Sequence, residues 1–337
     1  MRNDDELTGR VGRFISSESL MTHEGLHLVA LSGGADSVAM LLVLIRLGYR
    51  VEAVHCNFHL RGEESDRDES FVKDLCKINN IPLHLIHFNT EEYADVHQVS
   101  IEMAARELRY RYFGQLREDI CAETVCVAHH RDDAVETFLM NLLRGSGIHG
   151  LTGIRPRNGY VVRPLLCASR GEIEQMLEDK GQSFVTDSTN LEADVLRNKV
   201  RLRLIPLMKE LNPAASENIV RSASYLSEAE KVYDAFLKPL CDTTELSIPE
   251  LQESPSPLCL LHEWLAPLGF NRSQVADIRA SSCGESRREF LSPSHSLVVD
   301  RDRLVVSPLL TPMKPLKIPE QGFYRIDETA SLRVEVV

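Results

Sequence analysis

Ser32-Gly33-Gly34-Ala35-Asp36-Ser37 is the stretch of this chain whose residue types and spacing are best suited to chemistry. It follows an apolar run, Leu26 to Leu31, and opens a helix-like run through Leu47. Two glycines let the backbone turn tightly and come close to a ligand. The unpaired N–H groups of a first helical turn, with the positive end of its dipole behind them, make an anion site. Ser32 and Ser37 add hydroxyl donors. Asp36 is the odd member, since a carboxylate repels a phosphate unless a cation sits between them. Mg²⁺ is therefore expected there, bridging Asp36 and phosphate oxygens. The spacing matches neither G-x-x-x-x-G-K-[ST] nor G-x-G-x-x-G. An ordinary strand–turn–helix with small residues is the plainer alternative.

Three further stretches carry reactive side chains. They are His55-Cys56-Asn57-Phe58-His59-Leu60-Arg61-Gly62, Ala105-Arg106-Glu107-Leu108-Arg109-Tyr110, and His129-His130-Arg131-Asp132-Asp133-Ala134-Val135-Glu136-Thr137. Asp133 and Glu136 stand three apart and share a helix face. Simpler roles exist for each: Arg106, Glu107 and Arg109 as a solvated face, Asp132 and Asp133 as helix caps, His129 and His130 as one packed and one surface residue. Met103, Met140 and Met176 read as core filler. The cysteines (56, 76, 121, 126, 167, 241, 259 and 283) show no C-x-x-C pair, which argues against a zinc knuckle or a cysteine-held cluster. Free thiols in a reducing cytoplasm are the expectation.

The elements that must position these groups read as α/β. Strands are expected at Leu26–Leu31, Val51–His55, Leu83–Phe88 and Thr124–Ala128. Helices are expected from Asp36 or Ser37 as cap to Leu47, at Glu64–Asn79, from a Ser100 cap to Ile120, and at Asp132–Leu143. Repeated strand–helix units predict a doubly wound parallel sheet covered on both faces. In such a sheet the segments after strand C-termini converge on one edge, where ligands bind. Past Gly145 the chain reads as loop to Arg163, then as a helix Ser169–Lys180 stopped by Gly181, and a basic helix Asn198–Leu211 around Pro206. One long amphipathic helix, Ala214–Leu237, comes next. A hairpin follows, with strands Ser296–Val299 and Leu304–Ser307, and the final SLRVEVV alternates like a strand. The expected organisation is a domain over 1–215, a long linker helix over 216–240 and a smaller α+β domain over 241–337.

The hexapeptide resembles the pyrophosphate loop of the ATP pyrophosphatase superfamily, whose members cleave ATP between the α and β phosphates. With the other three stretches, and with Arg163-Pro164-Leu165-Leu166, Thr186-Asp187-Ser188-Thr189-Asn190 and Arg197-Asn198-Lys199-Val200-Arg201, the chain resembles the tRNA(Ile)-lysidine synthetase family over roughly 25–215. The hairpin LVVDRDRLVV resembles that family's middle domain more weakly. The resemblance implies ATP as substrate and L-lysine joined to the wobble cytidine of a tRNA(Ile) anticodon loop. The cytidine is first adenylated. Ser32, Gly33, Gly34, Ala35, Asp36 and Ser37 would bind ATP, and Asp36 would hold Mg²⁺. Arg106 and Arg109 suit a phosphate or the lysine carboxylate. Asp133 and Glu136 suit the lysine ammonium or a second Mg²⁺, and one of them can take a proton from the attacking amine. Arg197 would orient the α-phosphate or the nucleotide. The histidine stretch departs from the family pattern at Cys56 and Phe58 and is given no catalytic role. Longer members carry a further C-terminal domain for tRNA, expected to be absent or incomplete here.

The whole chain has 337 residues and a net charge of −12, which by itself argues against a nucleic-acid partner. Basic residues nevertheless crowd beside the proposed site: Arg144, Arg155, Arg157, Arg163 and Arg170, then Arg197, Lys199, Arg201, Arg203 and Lys209. They predict a positive RNA path on an acidic protein. Tyr160 or Phe184 is a candidate for stacking on a base, although Phe184 reads better as a strand core residue. The longest apolar run, Val38 to Ile45, is far below the ~20 residues of a membrane span, and the acidic N-terminus is no secretory signal. A cytoplasmic protein without membrane contact is expected, and a homodimer is one of the states left open. The competing readings are a tRNA thiolation enzyme, which usually needs the missing C-x-x-C pairs, and a noncatalytic nucleotide- or RNA-binding module.

Overall fold

A computed structural model describes residues 2–186, 195–282, 288–309, 322–325 and 331–334. Two compact units divide the chain, Met1–Lys231 and Val232–Val337.

In the first unit the strands are β1 (Leu26–Ala30), β2 (Arg50–Asn57), β3 (Leu83–His87), β4 (Thr124–Cys126), β5 (Arg157–Asn158) and β6 (Val161–Val162). They form one sheet in the order β3-β2-β1-β4-β6-β5, parallel except for the terminal β5–β6 pair. The helices are α1 (Arg2–Ser17), α2 (Ala35–Arg46), α3 (Glu63–Ile78), α4 (Thr90–His97), α5 (Ile101–Asp119), α6 (Arg131–Leu143), α7 (Ile148–Leu151), α8 (Arg170–Asp179), α9 (Val195–Lys199), α10 (Ile205–Leu211) and α11 (Ala215–Cys241). The division between units falls within α11.

Strand β1 is apolar apart from His27, because both its faces are covered. One face packs on a core that includes Val29, Leu41, Leu44 and Ile173. The other meets Phe113, Leu116 and Val125 through Leu28. β1 pairs in parallel with β2 on one side and with β4 on the other, so the order in which strands are added to the sheet reverses at β1. That is the switch point where open α/β sheets bind ligands.

Several elements differ from the sequence expectation. Helix α1 was not foreseen, yet Leu7, Val11 and Ile15 recur every four residues and all are buried. Burying each such side chain stabilises by about 1.5–3 kcal/mol. Arg10 also pairs with Glu172 at 2.6 Å. Glu172 in turn completes the capping box of α8 with Ser169. Helix α4 was also missed; Asn89 caps it by accepting the Glu92 N–H. The segment read as loop from Gly145 to Arg163 holds α7 and the last two strands of the sheet.

The basic segment around Pro206 is not one regular helix. Residues Val200–Leu204 form a π turn between α9 and α10, in which the Ile205 N–H donates to Val200 O, five residues back. Proline has no N–H to continue the α ladder, so the turn widens locally. Two further expectations fail. Phe184 lies outside any strand and is 37% exposed, and Met103 is 50% exposed rather than core. Met140 and Met176 are buried as expected.

The second unit contains β7 (Glu245–Ser247), α12 (Ile248–Glu253), α13 (Pro257–Leu265), α14 (Arg272–Ser281), β8 (Arg288–Leu291), β9 (His295–Asp300) and β10 (Arg303–Pro308). The strands make an antiparallel sheet in the order β7-β10-β9-β8. Its inward residues Leu297, Val299, Leu304 and Val306 pack with Leu261, Trp264 and Ile278. The indole N–H of Trp264 donates to Thr243 O at 3.0 Å. A separate antiparallel pair joins β11 (Gly322–Arg325) and β12 (Ser331–Val334).

Candidate active site

The glycine-rich turn leaves the C-terminal end of β1. Gly33 has φ +93°, a left-handed conformation in which any side chain would be strained, although a Cβ there would meet Val185 only in ordinary contact at 3.4 Å. Val185 seals the turn from above, donating its N–H to Gly33 O at 2.9 Å. Beneath, the Ser37 hydroxyl accepts the Ser32 N–H at 3.2 Å and donates to Gly34 O at 3.0 Å. The Ser32 hydroxyl accepts the Gly34 N–H at 3.3 Å. The two serines therefore brace the turn as well as supplying donors.

Gly34, not Asp36 or Ser37, is the N-cap of α2. The helical ladder begins with Val38 N–H to Gly34 O, so the first-turn N–H groups of Ala35, Asp36 and Ser37 precede it. Asp36 is displaced from the cap into the helix, which frees its carboxylate. Its Oδ1 is buried with no hydrogen-bond partner among the described residues. Oδ2 lies 3.7 Å from His130 Nε2.

His130 caps α6 and is 3% exposed. Its Nε2 is 3.5 Å from Asp133 Oδ2, and its Nδ1 is 3.7 Å from Asp132 Oδ2. Three carboxylates thus surround one buried imidazole. Burial pushes the Asp36 carboxyl above its usual range, and Asp133 pushes the same way, while His130 opposes both. Asp133 accepts the His130 N–H at 3.0 Å, and Asp132 accepts the Arg170 N–H at 2.8 Å. An orphaned carboxylate oxygen beside a second carboxylate is a hard, oxygen-rich and over-negative donor set. It fits Mg²⁺.

His129, the neighbouring residue, is a different kind of group. Burial drives it down to about 4, against Asp133 and with the help of Arg163 and Arg106, so it is neutral near pH 7. Arg163 Nε donates to its Nδ1 at 3.3 Å.

Glu136 sits one turn further along α6 and is 1% exposed. The sequence expectation had it available beside Asp133, but its carboxylate is occupied. Arg201 holds it with two hydrogen bonds, 2.6 and 3.1 Å, and Arg197 Nε stands 3.5 Å away. Arg201 comes from the π turn, which rotates it onto α6. A cleft of about 570 Å³ opens here, lined by His130, Asp132, Glu136, Arg170, Arg201 and Pro206 among others.

The two arginines of α5 part company. Arg106 lies over Tyr110 at 4.9 Å and its charge is felt by His129 and Arg163. Arg109 instead lies over Phe58 at 5.2 Å, beyond β2. The loop residues, Asp36, Asp133 and Arg106 converge, Glu136 and Arg197 form an ion-pair cluster beside them, and Arg109 is turned outward. His130, Asp132 and Arg201 were not picked out as site residues. The H-H-x-D-D run at a helix start was the available signal for the first two.

The expected RNA path is also thinner than its sequence suggested. Arg155 pairs with Glu230, Arg157 donates to Ser19 O and Leu20 O, Arg163 to Arg155 O, and Arg170 pairs with Glu174. Arg144, Lys199, Arg203 and Lys209 are exposed and have no carboxylate partner among the described residues. Thr186 is described, whereas residues 187–190 of the same motif lie outside the described residues. Burial lifts the thiols of Cys56 and Cys126 to about 12 and Cys76 to about 11, which keeps all three protonated and poor at sulfur transfer.

A PP-loop domain model matches residues 5–208, more than half of the chain, and a TilS substrate binding domain model matches 241–309. A tRNA(Ile)-lysidine synthase of Bacteroides thetaiotaomicron is 50% identical over 301 residues, covering 88% of this chain and 71% of that protein. The chain belongs to the tRNA(Ile)-lysidine synthase family. A second tRNA(Ile)-lysidine synthase, from Parabacteroides distasonis, is 48% identical over 92% of this chain and 72% of that protein. Among solved structures, a U34-tRNA thiolase of Methanococcus maripaludis shares the fold, with TM-score 0.55, 18% identity, and coverage of 66% of this chain and 79% of that one. Family membership makes this an ATP-using PP-loop protein. No helix among the described residues is long and apolar enough to cross a membrane.

Proposed function

We propose that this chain joins L-lysine to C2 of the wobble cytidine in the CAU anticodon of tRNA(Ile), giving lysidine, AMP and pyrophosphate. The observation that carries the reading is the unpartnered, buried Oδ1 of Asp36 in the first turn of the helix that the glycine-rich turn opens. Such an oxygen is costly to leave bare, and a cation beside the phosphates of ATP would satisfy it.

The chemistry divides into two displacements. Cytosine O2 attacks the α-phosphorus of ATP, forming a P–O bond as the bond to pyrophosphate breaks. The lysine ε-amine then attacks C2 and the C2–O bond breaks, so AMP leaves with the oxygen. The first-turn N–H groups of α2 and the Ser32 and Ser37 hydroxyls bind the phosphates. Asp36 would hold Mg²⁺, which when bound would neutralise charge on the α-phosphate. Arg106 faces the same region and takes a phosphate oxygen or the lysine carboxylate. Asp133 receives the lysine ammonium and removes a proton from the amine. Glu136 can join it only by releasing Arg201. Arg197, 44% exposed, orients the nucleotide from the rim.

In this reading 1–215 is catalytic, 216–240 links, and 241–337 contacts tRNA. A cytoplasmic setting follows, because ATP, lysine and tRNA meet there. The test is incubation with ATP, Mg²⁺, labelled lysine and tRNA(Ile) from a matched organism. Lysine label in tRNA with stoichiometric AMP is expected. Label without AMP, or AMP without label, would defeat the reading.

A further inference from the structure

The loop after β2, Asn57 to Gly62, plays no part in the chemistry above, yet it is built with care. A second cavity of about 270 Å³ opens beside it, lined by Phe58, His59, His87, Phe88, Asn89 and Glu91 among others. Phe58 and Phe88 stack at 5.5 Å and 25°. His59 and His87 stack at 4.9 Å and 19°, and His59 Nε2 is 2.8 Å from His87 Nδ1. Arg109 covers Phe58 from α5.

The platform is held from behind. Asn57 Oδ1 accepts the His59 N–H at 3.0 Å, and Asn57 Nδ2 donates to Glu69 Oε2 at 2.9 Å. The Thr90 hydroxyl donates to Phe58 O, and the Phe88 N–H donates to Asn57 O. The bonds from Asn57 and Lys73 hold the Glu69 carboxyl at about 2, so it is ionised. That carboxylate lies 3.5 Å from His87 Nε2, on the far side of the ring from His59. His59 itself has φ +53°. Non-glycine residues keep such a conformation only where the surroundings over-determine it, and these residues gather at binding sites.

The occupant can be narrowed. The volume falls below the ~300 Å³ at which pockets accept drug-sized ligands, so it suits one flat ring system. Two phenyl rings, two imidazoles and a guanidinium are the groups on which unpaired RNA bases stack. Glu91 adds an exposed acceptor for an exocyclic amino group. The ends of β2 and β3 lie on the same sheet edge as the phosphate turn, with β3 two strand spacings, about 10 Å, from β1. We propose that this four-ring platform holds an unpaired anticodon-loop base next to the wobble cytidine, separately from the ATP and lysine sites. The proposal rests on the lysidine reading given above.

The test uses the full chain with His59→Ala, His87→Ala and Phe58→Leu, and tRNA(Ile) anticodon stem-loops carrying one abasic position each. Both histidines are exposed, so their removal should leave the thermal midpoint unchanged. Loss of stacking predicts about a tenfold rise in KM for tRNA and in the stem-loop Kd, with KM for ATP unchanged. One abasic position should reproduce that loss, and combining it with His59→Ala should add nothing. An unchanged stem-loop Kd, a loss that adds to every abasic position, or a shift in KM for ATP instead would each overturn the proposal. The stem-loop Kd reads the platform even if the wild-type chain forms no lysidine, so failure of the reaction and failure of the platform are told apart.

Discussion

Asp36 is the residue on which the proposed catalysis turns. Asp36→Asn keeps the shape and removes the charge, so AMP formation should fall by about a thousandfold or more, the order lost with one group that acts only on the transition state. Quantifying AMP alongside a circular dichroism spectrum checks this; normal AMP formation would rule out the metal role. Glu136 poses a different question, because it is buried against Arg201. Arg201→Ala leaves that carboxylate with only the looser Arg197 contact, and about 3 kcal/mol of stability should go. Denaturant unfolding reads it out. Asp36 was legible from S-G-G-x-D-S alone. His130 was not, because its enclosure by Asp36, Asp132 and Asp133 depends on α6 packing against the turn. Spacing along the chain carries no record of that.

Elements decide whether these residues meet. Gly33→Ala places a Cβ on a backbone held at φ +93°, at a cost of about 1–3 kcal/mol. A raised Kd for ATP, measured by calorimetry, is the expected sign. The sheet is sensitive to acid through its histidines. His27 and His55 are buried, and burial lowers both below 6.5 despite their backbone hydrogen bonds. They are neutral in the fold, so the stability they contribute is present above pH 6.5. It is lost as pH falls through 6.5 towards the lowered folded value, at up to about 1.4 kcal/mol per unit for each. Thermal midpoints from pH 8 to 5 should fall, and less steeply in His27→Gln. Strands β1 to β4 were legible because parallel strands covered by helices read as largely apolar runs. β5 and β6, only two residues each, carry no period to detect, and α1 was obscured by its acidic flanks despite Leu7, Val11 and Ile15.

Over the whole molecule the net charge is −12, yet the proposed partner is a polyanion. Binding must then rely on local cations, and the structure leaves few of them. Lys199 and Arg203 are exposed on the basic segment, so Lys199→Ala and Arg203→Ala should each reduce the slope of log Kd against log salt by about one. Arg157→Ala, whose guanidinium is tied to Ser19 O and Leu20 O, should leave that slope alone. Charge counts from sequence overstated the RNA path because they cannot distinguish a cation facing solvent from one spent on a carbonyl.

Glu172 receives Ser169, Arg10 and, at 3.7 Å, Arg131, the residue after His130. The N-terminal helix is therefore a single carboxylate away from the proposed reaction centre. A random-mutagenesis screen for lost lysidine should return hits at Arg10 and Glu172 whose yield of folded protein is ordinary. Such hits would look, on a linear map, like noise far upstream of the glycines.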